Sequence, residues 1–461
     1  MKRSALSSLY LVTFVLLTIN FMVIKNSYSQ APGTWIGNTT DWHTTSNWVG
    51  GIPTASTDIV ISSGLSHYPV LSSPGICRSI ALMENGSSIS GTALLTIDHD
   101  DGIASVTGNA SISCPIDMPP TPIVSVSGTL TIAGVISNIT NNWYKSGPGE
   151  LILSALNNFW GQTQIQQGTL SINTLYNLGG GSSSLGAPTT TGNGYIEFTG
   201  ESTLKYTGTG HSSDRAIGLY YHNGTIDASG SGTLTLSGGV TEYPAGSAQT
   251  LTLTGTGTGV ESGAITMANG SLVKNGSGTW TLSGANSYGG TTTINEVTLR
   301  NGTTNVIPDQ PMVLNGGTYS TGAPSGFSES IGTLGLTENS DVVLGSGSHT
   351  LSFAASSGQG WTTGKMLTIT GWSGNWDGTP GTAGKIFFGT NSSGLTASQL
   401  AQIRFYNGST YVPATLLSTG ELVPSTATYA SDYFRTQATG NWSAPGNWQS
   451  SHDNEVWINA T

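Results

Sequence analysis

The sequence predicts an all-β solenoid from three observations. Residues 145–172 return as residues 274–301 with about 11 identical positions, and self-similarity of this kind is typical of stacked repeats. Short runs alternate apolar residues with Thr, as at 233–236 and 251–254, which places the two kinds of side chain on opposite faces of a strand. Glycine supplies 65 of 461 residues, about twice the usual share.

Energetics favour stacking of these strands. The apolar surface that one turn of about 20 residues can bury does not offset the backbone entropy lost on ordering it. Stacked turns share strand hydrogen bonds and a continuous aliphatic core. Asn-Gly pairs between the runs (85–86, 223–224, 269–270, 301–302) suit tight corners. Asn-Gly is also the usual hairpin signal, so the corners by themselves do not separate a solenoid from meanders.

The N-terminus predicts a secretory signal peptide over residues 1–29. Lys2 and Arg3 precede a largely apolar run at 9–24, and the small residue Ser29 stands before Gln30. This order matches a signal peptide cleaved between Ser29 and Gln30. A membrane anchor is the alternative, but the run is shorter than the ~20 residues that a span needs. We expect a secreted or surface-attached mature chain with no transmembrane segment after cleavage.

Four zones follow the signal peptide. Residues 30–140 form an N-terminal module that carries tryptophan, and residues 141–325 hold the repeat. Residues 326–424 continue the alternation with one short helix, and residues 429–461 begin a further tryptophan-bearing module. Strand-rich units need neighbours or a cap over an open end, so we expect the chain to be a fragment with more modules downstream.

The helix is predicted at 396–403. Thr396 can cap its N-terminus, and Gln399 stands where a capping box requires it.

Residues 272–294 closely resemble the autotransporter-associated β-strand repeat, and residues 145–172 are a divergent copy. The resemblance implies a right-handed parallel β-helix, as in autotransporter passengers and large bacterial surface proteins, with short irregular flanking modules. Val297 departs from the pattern, because the first copy has Gly168 there. The repeat has no known chemistry, so its shared positions are interpreted as structural: Lys145, Gly147, Gly149, Leu153, Asn157 and Gly161 in one copy, and Lys274, Gly276, Gly278, Leu282, Asn286 and Gly290 in the other.

The tryptophan-bearing modules also resemble units of long exported proteins in Bacteroidetes-like bacteria. Trp42 and Trp48 are spaced like Trp442 and Trp448. Aromatic faces could stack on sugars, but recurrence at module starts favours packing.

Charge and cysteine content exclude several classes. Thirteen basic against 24 acidic residues give a net charge of −11, which argues against nucleic acid and anionic membranes as partners. Cys77 and Cys114 are the only cysteines. Two buried free thiols are expected, and one disulfide is the alternative.

Two clusters carry titratable groups. Asp98, Asp100 and Asp101 could bind calcium or act as paired acids, although the spacing of a calcium loop is absent and a solvated corner between strands is the favoured explanation.

His211, Asp214, Arg215 and His222 could supply an acid, a base and a cation. Residues 208–211 are expected to form a low-charge loop typical of these repeats, which favours simple loop polarity. No cofactor motif is present.

The expected function is therefore non-catalytic adhesion or scaffolding by a secreted or outer-membrane surface protein. Glycans, extracellular matrix or other cells are the expected partners. The alternative is a polysaccharide-acting β-helix enzyme, lyase or hydrolase, or a carbohydrate-binding protein, and the scarcity of basic residues argues against a lyase.

Overall fold

Parallel β-strands dominate the computed structural model, which describes residues 33–105, 107–425, 433–436, 448–451 and 458–459. The signal-peptide cleavage site expected at Ser29 and Gln30 and the expected role of Trp442 lie outside these residues. The described residues fall into two compact units, one extending to Gln162 with Ser182–Ala187 and one comprising Thr163–Gly181 with the remainder from Pro188.

The first unit is built from short strands. In chain order they are β1 (Asp58–Ile61), β2 (Val70–Leu71), β3 (Gly75–Cys77), β4 (Ser79–Leu82), β5 (Ser88–Gly91), β6 (Leu95–Ile97), β7 (Ile103–Ser105), β8 (Asn109–Ile112), β9 (Ile116–Asp117), β10 (Ile123–Val126), β11 (Thr129–Ile132), β12 (Ile136–Ser137), β13 (Trp143–Ser146) and β14 (Glu150–Leu153).

These strands form three parallel sheets, in the orders β1-β4-β7-β10-β13, β2-β5-β8-β11-β14 and β3-β6-β9-β12. Each turn of the chain adds one strand to each sheet. The strand register places similar residues next to each other in successive turns. Ile59, Ile80, Ile103 and Val124, for example, form one column across four strands. All four are buried. The expected all-β parallel solenoid is thereby confirmed, and its core consists of aliphatic columns shared between turns.

Three tryptophans pack together in the first turns of this unit. Trp48 makes edge-to-face contacts with Trp35 and Trp42 at centroid distances of 4.8 Å, and all three rings are buried. The indole Nε1 of Trp48 donates to the carbonyl of Trp42. Trp42 and Trp48 therefore pack inside the protein, as their recurrence predicted, and offer no face to a sugar.

The second unit continues the same construction. Its strands are β15 (Thr163–Ile165), β16 (Gly168–Ile172), β17 (Ile196–Phe198), β18 (Ser202–Tyr206), β19 (Thr209–Ser213), β20 (Ile217–Tyr220), β21 (Gly224–Ala228), β22 (Gly232–Leu236), β23 (Val240–Tyr243), β24 (Thr250–Thr254), β25 (Thr258–Glu261), β26 (Ile265–Thr266), β27 (Ser271–Lys274), β28 (Thr279–Leu282), β29 (Thr292–Ile294), β30 (Thr298–Asn301), β31 (Met312–Asn315), β32 (Thr318–Ser320), β33 (Glu329–Ile331), β34 (Leu334–Glu338), β35 (Ser340–Val343), β36 (His349–Phe353), β37 (Leu367–Thr370), β38 (Gly384–Phe388), β39 (Ile403–Tyr406), β40 (Tyr411–Leu416), β41 (Glu421–Pro424), β42 (Tyr433–Thr436), β43 (Trp448–Ser451) and β44 (Ile458–Asn459).

Its parallel ladders run β15-β17-β20-β23-β26, β16-β18-β21-β24-β27-β29-β31-β34, β19-β22-β25-β28-β30-β32-β35-β37-β39 and β33-β36-β38. The pairing of β32 with β35 carries the solenoid past residue 325, where the sequence suggested a new zone. Strands β40 and β41 reverse direction and pair antiparallel with β39, β38 and each other. Strands β42, β43 and β44 form a separate antiparallel sheet.

The helix predicted near Thr396 is present but short. It spans Ala397–Leu400, with Thr396 at its N-cap and the capping box to Gln399 formed on both sides. The prediction of its start is confirmed, whereas its extension to residue 403 is wrong because Ile403 begins β39. A second short helix, not predicted, spans Thr191–Gly194. No helix among the residues described here is long and apolar enough to cross a membrane.

The corner before β30 keeps its shape despite a valine. Val297 has φ +41°, and Gly168, its counterpart in the other repeat copy, has φ +69°. Positive φ costs a residue with a Cβ about 1–2 kcal/mol, and glycine avoids that cost. The strand after the corner forms in both copies, so the departure at Val297 preserves the fold at an energetic cost.

We therefore expect Val297→Gly to raise the free energy of unfolding by about 1 kcal/mol and Gly168→Val to lower it by a similar amount or more. Urea unfolding of the purified chain measures both. Val135 is the matched control, because it is also exposed but does not have positive φ. Val135→Gly should destabilise, and a gain there equal to that at Val297 would contradict the strain argument.

Candidate functional site

The lysine of the first repeat copy is buried among aliphatic side chains. Lys145 follows Val124 in its column and is inaccessible to solvent. Its ammonium donates hydrogen bonds to the carbonyls of Ser146, at 3.0 Å, and Gly147, at 2.8 Å. Burial lowers the pKa of Lys145 to about 8. Through these two hydrogen bonds the side chain stabilises the corner that follows its own strand.

Lys274 repeats this arrangement in the second copy. It stands between Leu253 and Ile294 in the core column, and its ammonium donates to Asn275 at 2.6 Å and to Gly276 at 2.9 Å. Its pKa is also lowered to about 8 by burial. Two lysines with the same partners in two copies point to a structural clamp rather than to a nucleophile or base.

The repeat asparagines link neighbouring turns. The side-chain oxygen of Asn157 accepts from the backbone N–H of Ile136 at 2.8 Å, and its amide donates to the carbonyl of Ser184 at 2.7 Å. The counterpart Asn286 makes the same pair of bonds, to Ile265 at 2.8 Å and Val306 at 2.7 Å. Each asparagine therefore connects the backbone of the preceding turn to backbone that follows it in the chain.

The remaining repeat positions also serve packing. Leu153 and Leu282 are buried. A Cβ on Gly149 would collide with the carbonyl of Gly128, and one on Gly278 with that of Gly257, because neighbouring turns approach closely there. Gly147 and Gly276 adopt positive φ. Gly161 and Gly290, like Gly149 and Gly278, lie close to backbone atoms of the preceding turn.

The acidic cluster lies at an exposed corner. The guanidinium of Arg78 pairs with Asp58 at 2.9 Å and with Asp101 at 3.1 Å, and His99 lies 3.2 Å from the Asp101 carboxylate. Asp98 and Asp100 are exposed beside them. Among the described residues no group of three or more His, Cys, Asp or Glu side chains is arranged to hold a metal ion. Calcium binding here stays a prediction.

The two candidate histidines have different surroundings. His211 lies within β19, so the expected loop at 208–211 is wrong, because this segment pairs with β22. Its Nδ1 is 2.6 Å from the hydroxyl of Tyr206, and burial raises the pKa of that tyrosine. His222 is exposed.

Asp214 and Arg215 likewise face different partners. The carboxylate of Asp214 accepts from the N–H of Leu178 at 2.7 Å. Arg215 is buried, and its Nε donates to the carbonyl of Gly194 at 2.6 Å. Burial lowers the pKa of Arg215 to about 9. These two side chains stabilise loops through hydrogen bonds to their backbone, and they do not form an acid–base site together.

Both cysteines are buried free thiols, as expected, and the alternative of a disulfide is not formed. Burial raises the pKa of Cys77, and it raises that of Cys114 to about 11. Thiols that resist ionisation are poor nucleophiles.

An exposed cluster that the sequence did not predict lies in the second unit. Tyr220 and Tyr243 are register partners on β20 and β23, and their rings stack at 4.8 Å with an interplanar angle of 12°. Tyr221 stands nearly perpendicular to both. We call Tyr195, Tyr220, Tyr221 and Tyr243 the tyrosine patch. The adjacent Tyr220-Tyr221 pair was visible in the sequence, but only strand register brings Tyr243 to it.

The fold and its repeat residues define a parallel β-solenoid built on corner clamps. Two segments, 144–172 and 272–300, match the Passenger-associated-transport-repeat family, and the resemblance to autotransporter-associated repeats is confirmed. The chain is also 30% identical over 174 residues to the Adhesin BmaC autotransporter of Brucella suis biovar 1 (strain 1330). That match covers 36% of this chain and 5% of the relative. No solved structure matches the chain.

Proposed function

We propose that this protein is displayed at the cell surface, where its solenoid acts in adhesion. The observation that carries the proposal is the pair of passenger-associated repeats, which supply the clamps of the solenoid at 144–172 and 272–300. The similarity to an autotransporter named as an adhesin agrees with it. The expected signal peptide supplies the route of export.

The distribution of side chains supports a binding role over catalysis. Inward positions are mainly aliphatic, and the outward rows are mainly Thr, Ser and Asn, as along Gly232–Leu236 and Thr250–Thr254. Such rows offer many weak polar contacts over successive turns. Multiple weak contacts on a stiff body give avidity when several are engaged together.

The alternative function is a polysaccharide-acting enzyme. The candidate catalytic side chains contact different partners. Asp101 pairs with Arg78 and His99, whereas Arg215 donates to the carbonyl of Gly194. An acid and a base must both lie within reach of one glycosidic bond. The contacts of these side chains do not favour that arrangement.

Bead adhesion and surface proteolysis test the proposal. Beads coated with the purified chain should retain cultured cells or matrix well above albumin-coated beads, and protease added to intact expressing cells should remove the chain. Retention equal to albumin, or a chain protected from protease until the cells are lysed, would contradict adhesion at the surface.

Reducing-end release from polysaccharides, measured on the same preparation, tests the alternative. Release that Asp100→Ala abolishes would establish the enzyme instead. We expect no such release.

A further inference from the structure

The tyrosine patch lies on the outer face of the sheet β15-β17-β20-β23-β26. Side chains alternate along these strands, so that Ile217 and Leu219 are buried while Tyr220 points outward. Tyr220, Tyr221 and Tyr243 are 39%, 61% and 56% exposed. Exposed aromatic side chains gathered in one place are unusual on a surface otherwise rich in Thr and Ser, and clusters of this kind mark binding sites.

Tyr195 extends the patch along the sheet. A Cβ on Gly218 would lie 2.5 Å from the ring of Tyr195, so the ring lies directly over this glycine. The Tyr195 hydroxyl is 2.7 Å from Oγ1 of Thr241. Glycine at position 218 thus leaves room for an aromatic ring between two outward polar positions, Glu197 and Thr241, which are its register neighbours.

Tyr221 has a strained backbone at the corner that follows β20. Its φ is +61°, a conformation that costs a residue with a side chain about 1–3 kcal/mol. Its N–H donates to the carbonyl of Tyr243 at 2.8 Å, which holds the ring beside the stacked pair. The most exposed ring of the patch is therefore also its most strained residue.

The charges beside the patch determine what it can bind. On the outer face of these five strands the carboxylate is that of Glu197, because Glu242 is buried, and the five strands carry neither lysine nor arginine. The amide of Gln164 donates to Glu197 at 3.0 Å, which leaves an acceptor-rich polar edge next to the rings. Such a surface repels sulfated, phosphorylated or carboxylated ligands.

A quaternary ammonium group fits the patch poorly. Such cations are held by aromatic rings that surround them, and Tyr220 and Tyr243 are stacked on each other with no space between the rings. The required ligand is uncharged, has an apolar C–H face for the rings, and has hydroxyls for Glu197, Thr241 and the phenols. A pyranose has all three properties.

We propose that the tyrosine patch is a binding site for neutral glycan chains, and this inference rests on the proposed adhesive function. Tyr220 and Tyr243 are register partners and stack on each other, so one sugar can lie against the outer side of this pair. The ring of Tyr195 lies over Gly218, two residues before Tyr220 on the same sheet, and can contact a neighbouring sugar of the chain. Tyr221 borders the site from the side.

Affinity for neutral hexasaccharides tests the site. Calorimetry with cello-, xylo-, manno- and chitohexaose should detect binding by the wild-type chain to at least one of them. Tyr220→Ala and Tyr243→Ala should each weaken it about tenfold. Tyr243→Phe should weaken it less, since the ring remains. Trp160→Ala, which removes an equally exposed aromatic ring from the first unit, should leave binding unchanged. Circular dichroism checks that each variant is folded.

The outcomes separate this site from the proposed function. No binding to any of the four glycans, equal binding by the tyrosine variants, or stronger binding of phosphocholine or oligogalacturonate would overturn the glycan site. If beads coated with the same preparation still retain cells, the adhesive function stands and only the site is wrong. If bead retention is also lost in the wild-type chain, the adhesive function is what has failed.

Discussion

Asn157→Ala should destabilise the first unit by about 3 kcal/mol. Asn157 is buried, and it accepts from Ile136 and donates to Ser184. Alanine removes both bonds. The N–H of Ile136 then loses the acceptor it has in the corner, and each buried polar group deprived of a partner costs about 1–3 kcal/mol.

Native-state hydrogen exchange measures the effect without assuming that a solenoid unfolds in one step. The amide of Ile136 should exchange about a hundredfold faster in Asn157→Ala, as expected for a loss of roughly 3 kcal/mol. Asn286→Ala should have a smaller effect on the amide of Ile265, because Asn286 is partly exposed. Asn158→Ala is the control at an exposed neighbour. Equal effects at 157 and 158 would show that the clamp contributes nothing.

Glu261→Gln should stabilise the protein strongly above pH 8. Glu261 lies between Leu236 and Leu282 in a core column and is inaccessible to solvent. Its Oε1 accepts from Gly263 at 3.0 Å, while its Oε2 has no hydrogen-bond partner among the described residues. Burial raises the pKa of Glu261 to about 8.

The sign of the pH dependence follows from proton binding. Between pH 4.5, near the pKa in the unfolded chain, and pH 8, the folded protein holds a proton that the unfolded chain has released. The contribution of Glu261 to stability is therefore complete below about pH 4.5 and is lost as the pH rises to about 8, with a total loss on the order of 5 kcal/mol.

The difference in unfolding free energy between Glu261→Gln and wild type isolates this group from Glu329, whose pKa burial raises to about 7. The difference should be small at pH 4 and reach several kcal/mol in favour of the glutamine variant at pH 9. Urea unfolding at a series of pH values measures it. The exposed glutamate Glu84 provides the baseline through Glu84→Gln. A difference that does not change with pH would contradict ionisation of a buried carboxyl.

Local patterns were sufficient to predict the solenoid. Alternation at 233–236 and 251–254 became strands with buried leucines, and the capping box at Thr396 formed as expected. Spacing also indicated the packing of Trp42 and Trp48. These features depend on residues close together in the chain, where side-chain periodicity and hydrogen-bonding capacity act directly.

Features that depend on register were not predictable in this way. Tyr243 meets Tyr220 only because β20 and β23 pair in one register, and no local pattern determines that register. The charge of Glu261 gave no indication of burial, since ionisable side chains are usually exposed. The reversal at β40 was also missed, because an antiparallel hairpin and another parallel turn have similar alternation.

That reversal determines where the stack can grow. A terminal parallel strand presents unpaired N–H and C=O groups, which can recruit a strand from another molecule and begin aggregation. Here β40 occupies the edge of β39, and β41 occupies that of β38. One hairpin thus blocks two templates for addition of a foreign strand. The hairpin therefore protects these two edges against strand addition, and deletion of 411–424 should convert them into a seed for polymerisation.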